Sequence, residues 1–213
     1  MKKRILCFGD SNTWGYNAKD GSRYDESIRW TCLLENQLGN GYKVIEEGQN
    51  GRTFIVDDFE LGYMSGKYYL QPCLKSHDPI DLFIIMLGTN DLKKSYNLSI
   101  SEIAEGLYEV LYIANEYWDK CARKKPVVLV VSPPHIGEKL KSSQFAEDFI
   151  VEDAIIKSKE LGKHLKTKAE SFSFSFLDAA KYVTANNIDG LHLDYQGHKV
   201  LADLIYEWIR ENL

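Results

Sequence analysis

The sequence predicts an α/β protein built on a parallel β-sheet with helices packed on both faces. Strand-like and helix-like segments alternate from one end of the chain to the other. The strongest strand candidates are unbroken apolar runs, as expected of strands covered on both sides. The length, 213 residues, suits one α/β domain with a full core, and residues 1–213 are read as a single domain. Ile5-Leu6-Cys7-Phe8 is the first strand and Tyr42 to Ile45 the second. Leu82 to Leu87 and Val127 to Val131 are the third and fourth, and Ser132-Pro133-Pro134 ends the latter. A fifth strand is expected over Phe172 to Leu177, where Phe alternates with Ser. Ile100, Ile103, Leu107, Leu111 and Ala114 recur at helical spacing, with Ser99 or Ser101 as the cap. A closing helix over Gln196 to Asn212 places Leu201, Leu204, Ile205, Trp208 and Ile209 on one face.

Composition removes several classes of function. With 44% hydrophobic and 27% charged residues and a formal charge of -5, the chain has no basic stripe to attract nucleic acid. Cys7, Cys32, Cys73 and Cys121 show no CxxC spacing, so neither a disulfide framework nor a zinc site is expected. Met1-Lys2-Lys3-Arg4 begins like a signal peptide, but Gly9-Asp10 stops the apolar run after Phe8. A signal needs about 7–15 apolar residues, so a cytoplasmic protein is expected. No stretch approaches the ~20 apolar residues of a membrane span, and no membrane partner is expected.

Four short motifs each follow an expected strand: Gly9-Asp10-Ser11-Asn12, Asn50-Gly51, Gly88-Thr89-Asn90-Asp91 and Asp189-Gly190-Leu191-His192. In an open parallel sheet the carboxyl ends of the strands share one edge, so these motifs should converge there. Together they offer a nucleophile (Ser11), its base (His192) and a carboxylate (Asp189) to orient the base. They also offer three oxyanion donors: the N–H groups of Ser11 and Gly51 and the side-chain amide of Asn90. Each motif alone has a plainer reading. Ser11 suits a helix cap, Asn90 and Gly51 suit turns, and an Asp189–His192 pair suits a surface turn. Asp10 and Asp91 are read as carboxylates bracing their loops. His77, His135, His164 and His198 lack a carboxylate three residues upstream in a matching loop. His198 has Asp194 four positions before it, but lies in the closing helix and is read as a helix-surface residue. No His pair has helical ligand spacing, and neither GxGxxG nor a Walker run follows strand one, so no metal and no phosphate cradle is expected.

In order and spacing, the four motifs resemble the blocks of the SGNH hydrolase superfamily, the GDSL-type esterases and lipases, over nearly the whole chain. Ser11, Gly51, Asn90 and His192 match its four letters. Ile5 to Ser11, Thr13-Trp14-Gly15, Val44 to Gly48, Ile84 to Asp91 and Val128 to Pro134 resemble most the mycobacterial acyltransferase and arylesterase branch. The resemblance implies a three-layer, flavodoxin-like α/β/α fold with a five-stranded parallel sheet and Ser-His-Asp catalysis without a cofactor. The branch adds short-chain and aryl ester hydrolysis, acyl transfer to alcohols or peroxide, and homo-oligomers that narrow the active-site entrance. Asn12 departs from a common Leu, and Asn50-Gly51 replaces a Ser-Ala pair of the mycobacterial enzyme. Trp14, Tyr16, Phe54 and Ile55 flank the motifs and are candidates to line a pocket for a small ester. Flap candidates are Lys93 to Leu98 and His135 to Phe145. A short-chain or aryl esterase is therefore expected. The alternatives are a carbohydrate O-acetylesterase with the same machinery and a flavodoxin-like module that binds a small anion without reacting.

Overall fold

The computed structural model describes residues 2–58, 62–122 and 124–213. Five strands form one sheet: β1 (Lys3–Gly9), β2 (Tyr42–Gly48), β3 (Leu82–Met86), β4 (Val127–Val131) and β5 (Ser175–Leu177). Their order is β2-β1-β3-β4-β5, and every neighbouring pair is parallel. This is the α/β fold expected, with the change of direction in strand order beside β1. In register, Gly9 stands opposite both Gly48 and Met86. The loops leaving β1, β2 and β3 therefore start at one height.

Among the described residues six helices cover the sheet: α1 (Ser11–Trp14), α2 (Trp30–Leu38), α3 (Gly66–His77), α4 (Ile100–Lys120), α5 (Val151–Ser171) and α6 (Tyr195–Asn212). The two-residue period of a strand divides the core between the faces. Leu6, Phe8, Phe83, Ile85, Val128 and Val130 pack under α3, α4 and α5. Ile5, Cys7, Leu82, Ile84, Leu129 and Val131 pack under α2 and α6. Of the two possible caps of α4, Ser99 is the one used. Its hydroxyl accepts from the Glu102 N–H at 3.3 Å, while Glu102 Oε2 accepts from the Ser99 N–H at 2.8 Å. Among the described residues no helix is long and apolar enough to cross a membrane.

Two expectations need correction. The fifth strand is shorter than Phe172 to Leu177, because α5 runs to Ser171 and the chain then turns through a left-handed Ser173 (φ 57°). Phe172 and Phe174 stack at 5.4 Å between ring centroids and pack against the α4 side of the core. Their alternation belongs to a turn that buries two rings together. His198 is not on a helix surface but fully buried. It shares a face of α6 with Leu201, Ala202 and Ile205. Its Nδ1 accepts from the backbone N–H of Trp30, at the start of α2, at 3.3 Å, and among the described residues its Nε2 has no partner.

Burial lowers the pKa of His198 to about 4; Asp194 opposes this, while the charges of Arg29 and His192 add to it. The unfolded histidine takes up a proton near pH 6.5. The contribution of His198 is thus present above that value and is lost as pH falls through about 4. In urea unfolding across this range, the stability advantage of wild type over His198→Asn should shrink on acidification, by roughly 3 kcal/mol in total. A constant difference between pH 7 and pH 4 would show that His198 titrates normally in the folded chain.

Candidate active site

The loop after β1 is built from its backbone outward. Asp10 caps α1, its Oδ1 accepting from the Asn12 N–H at 2.9 Å, and Gly15 closes the turn at φ 93°. Ser11 is the first residue of this single-turn helix, so its own N–H has no acceptor within the helix. The turn lies directly on two glycines. A Cβ at Gly48 would sit 2.2 Å from Trp14 N, and one at Gly9 2.1 Å from Thr13 Oγ1.

Ser11 Oγ lies 2.9 Å from His192 Nε2, and His192 Nδ1 lies 2.6 Å from Asp189 Oδ2. The bonding assigns the ring proton to Nδ1, leaving Nε2 as acceptor for the serine hydroxyl. All three residues are buried. The other oxygen of Asp189 accepts from the N–H groups of Leu191 (2.9 Å) and His192 (3.1 Å) and from Asn186 Nδ2 (2.9 Å). Burial alone would raise the Asp189 pKa. The hydrogen bond and charge of His192, with the two N–H groups, outweigh it and hold the carboxyl below its ordinary value.

Two asparagines that the sequence reading assigned no role position this loop. Asn186 Oδ1 accepts from the N–H groups of Ile188 (2.6 Å) and Asp189 (2.9 Å), and its Nδ2 also donates to the His192 carbonyl at 2.8 Å. Asn12, next to Ser11, donates from Nδ2 to the Leu191 carbonyl at 3.3 Å and accepts at Oδ1 from the Leu193 N–H at 2.8 Å. The departure from the common Leu thus supplies a direct clamp between the serine turn and the histidine loop.

The remaining candidate donors line the same cleft. Gly51 adopts φ +80°, a backbone conformation that favours glycine, and among the described residues no acceptor takes its N–H. Asn90 Nδ2 donates to the Arg52 carbonyl at 3.1 Å, which leaves its second N–H for a ligand. Arg52 is itself buried and reaches the carbonyls of Gly9 (2.9 Å) and Glu47, and Gln49 Oε1 at 3.1 Å. Asp91 Oδ1 accepts from the Phe54 N–H at 3.0 Å, which ties the β3 loop to the β2 loop. Burial pushes the pKa of Asp10 up to about 6 and that of Asp91 to about 7, against the N–H groups that each accepts.

These groups open onto a cleft of about 100 Å³ lined by Ser11, Tyr16, Gly51, Asn90, Phe145 and His192, with Lys93, Asp148 and Phe149 also in its wall. Of the four expected pocket residues only Tyr16 lines it, its ring centroid 4.2 Å from that of His192. Trp14 turns toward Arg23, whose guanidinium lies 5.5 Å from its ring, and Phe54 is a buried core residue. Ile55 packs on that core beside Gly106. Phe145, not among the expected pocket residues, packs edge-on against both Tyr16 (6.0 Å) and His192 (5.6 Å). It lies at the end of one expected flap. Lys93 begins the other and meets Asp148 at 3.6 Å.

The profile of the GDSL-like lipase/acylhydrolase family matches residues 7–200. The chain belongs to this family. The inhibitor-bound aryl esterase of M. smegmatis superposes on this GDSL-like chain with a TM-score of 0.91 at 35% identity, covering 99% of this chain and 100% of that one. A carbohydrate acetylesterase from Sinorhizobium meliloti superposes at 0.92 with 35% identity, covering 100% of both chains. A second carbohydrate acetylesterase family member from that organism gives 0.90 and 31% identity over 98% of each. Comparison with curated proteins finds no match. All of these likenesses are to SGNH hydrolase folds, so the GDSL-type resemblance read from the four motifs and the three-layer sandwich both hold.

Asn12→Ala would leave the buried Leu193 N–H without its acceptor. A loss of about 1–3 kcal/mol in urea unfolding is expected, with faster hydrogen exchange at the Leu193 amide. Unchanged exchange there would mean that the loop is held without the clamp.

Proposed function

We propose that this GDSL-family protein is a serine ester hydrolase for short-chain and aryl esters that works through an acyl-serine intermediate. The observation that carries the reading is the hydrogen-bonded chain Ser11–His192–Asp189, at 2.9 and 2.6 Å, beside three N–H donors. Ser11 Oγ attacks the ester carbonyl carbon as His192 Nε2 takes its proton. The carbonyl oxygen, now an anion, is received by the N–H groups of Ser11 and Gly51 and by Asn90 Nδ2. His192 returns the proton to the leaving alcohol as the C–O bond breaks. Water, deprotonated by the same imidazole, then releases the acid and restores Ser11. Alcohols and peroxides can enter by the water route, giving acyl transfer. A cleft of about 100 Å³ is well below the roughly 300–1,000 Å³ that drug-sized ligands fill, which favours short acyl groups.

A second reading, carbohydrate O-acetyl ester hydrolysis, is favoured by a polar hollow of about 400 Å³ on the far side of Tyr16. Lys19, Asp20, Ser143 and Gln144 line it and could receive the hydroxyls of a sugar leaving group. We place the enzyme in the cytoplasm, in keeping with four free thiols. Assembly of identical chains is supported by the exposed rings of Tyr63 and Tyr68.

With p-nitrophenyl acetate, Ser11→Ala should lower kcat by about 10⁴-fold or more, and Asn90→Ala by about 10²–10³-fold with little change in KM. An organophosphonate should label Ser11 in the wild type alone. A Ser11→Ala protein as active as wild type would refute the reading. A higher kcat/KM on an acetylated sugar than on an aryl acetate would favour the carbohydrate reading.

A further inference from the structure

We propose that Glu47, Cys73 and His77 form a binding site for one divalent transition-metal ion of the zinc type. One ligand atom from each residue lies within 4.8 Å of the other two. Zinc bonds sulfur at about 2.3 Å and nitrogen or oxygen at about 2.0–2.2 Å, so tetrahedral ligands stand roughly 3.3–3.6 Å apart. Shifts of about an ångström or less would bring the three atoms to that spacing.

The fold explains the convergence. Cys73 and His77 are four residues apart on α3 and share one face of the helix. Glu47 pairs in register with Phe8, whose side chain faces the same layer. The Glu47 carboxylate is oriented by its neighbours. Tyr69 donates its hydroxyl to Oε2 at 3.1 Å, and Oε1 lies 2.7 Å from His77 Nε2. A partner on the second oxygen is how ligand carboxylates are commonly fixed. The Cys73 sulfur is buried, while Glu47 and His77 keep 18% and 22% of their side chains exposed, which leaves an entry path and room for water as a fourth ligand.

Burial and the Glu47 charge push the Cys73 thiol up to about 12, with Arg52 opposing, so an ion must displace that proton. The thiolate and carboxylate then balance the two charges of the ion. The nearby Arg52 adds positive charge, which limits affinity. The cluster shares no residue with the Ser11 cleft, so the proposal stands apart from the esterase reading.

The full chain, stripped with a chelator and dialysed, is titrated with Co²⁺ as a spectroscopic stand-in for Zn²⁺. One ion per chain is expected, with tetrahedral d–d bands and a thiolate-to-cobalt charge-transfer band that Zn²⁺ displaces. Cys73→Ser should abolish the charge-transfer band, and Glu47→Gln should weaken binding about 10-fold or more. Zn²⁺ should raise the Tm of wild type and leave that of Cys73→Ser unchanged. If Cys73→Ser does not fold, His77→Gln serves instead, with loss of the tetrahedral bands expected. An octahedral spectrum without charge transfer, a band that persists in Cys73→Ser, or unaltered tetrahedral bands in His77→Gln would overturn the proposal.

Discussion

The site depends most on the two hydrogen bonds that Asn12 makes to the backbone of Leu191 and Leu193, 179 and 181 positions away in sequence. Ser11 opens α1, just after β1, and His192 lies on the approach to α6, far apart along the chain. Asn12 sits beside the serine and bonds the backbone on both sides of the histidine, so it ties the Ser11 turn directly to the His192 loop. Asn186 and the N–H groups of Leu191 and His192 then orient Asp189 from within the same loop. The hydroxyl, the ring and the carboxylate are each held by neighbouring hydrogen-bonding groups, the kind of support that gives a site its precision.

Beneath the cleft lies a layer of buried polar groups with its own electrostatic logic. Asp10 and Asp91 have folded pKa values of about 6 and about 7, above the ordinary 3.8. A carboxyl raised in this way favours folding fully below its unfolded value, and the contribution is lost as pH rises through 6 and then 7. His198 acts with the opposite sign over an overlapping range, its contribution being lost on acidification. The two slopes partly cancel between pH 4 and 6.5. Arg52 adds a fixed positive charge to this layer, stacked 4.3 Å from the centroid of the Phe8 ring, and its carbonyl positions Asn90.

Much of this was legible in the sequence because it is local. Runs such as Val127 to Val131 read as central strands, and the four motifs announced a shared edge because each follows a strand. Ser11, Asp189, His192, Gly51 and Asn90 are brought together where the sheet edge was expected. The rest depends on partners distant in sequence. His198 looked like a surface residue because its acceptor role is defined by Trp30, although its spacing to Leu201 and Ile205 was a usable signal of burial. Phe145 carries no periodic signature and reaches the cleft only through the irregular segment after β4. Trp14, Phe54 and Ile55 adjoin motifs in sequence, but neighbouring residues in a turn point in different directions. The Cys73–His77 spacing was readable on a helix, yet Glu47 joins it only through the β2–α3 packing.

The close seat of α1 on Gly9 and Gly48 has an evolutionary consequence. The turn that carries Ser11 sits where two methyl groups are missing, since a Cβ at Gly48 would meet its backbone at 2.2 Å and one at Gly9 the Thr13 side chain at 2.1 Å. A displacement of about 1 Å in a reacting group can cost about a hundredfold in rate. Drift at either position would therefore press on the Ser11 turn and, on the proposed mechanism, slow the reaction without altering Ser11, His192 or Asp189. Two residues with no functional group thus bear on the proposed chemistry through packing alone.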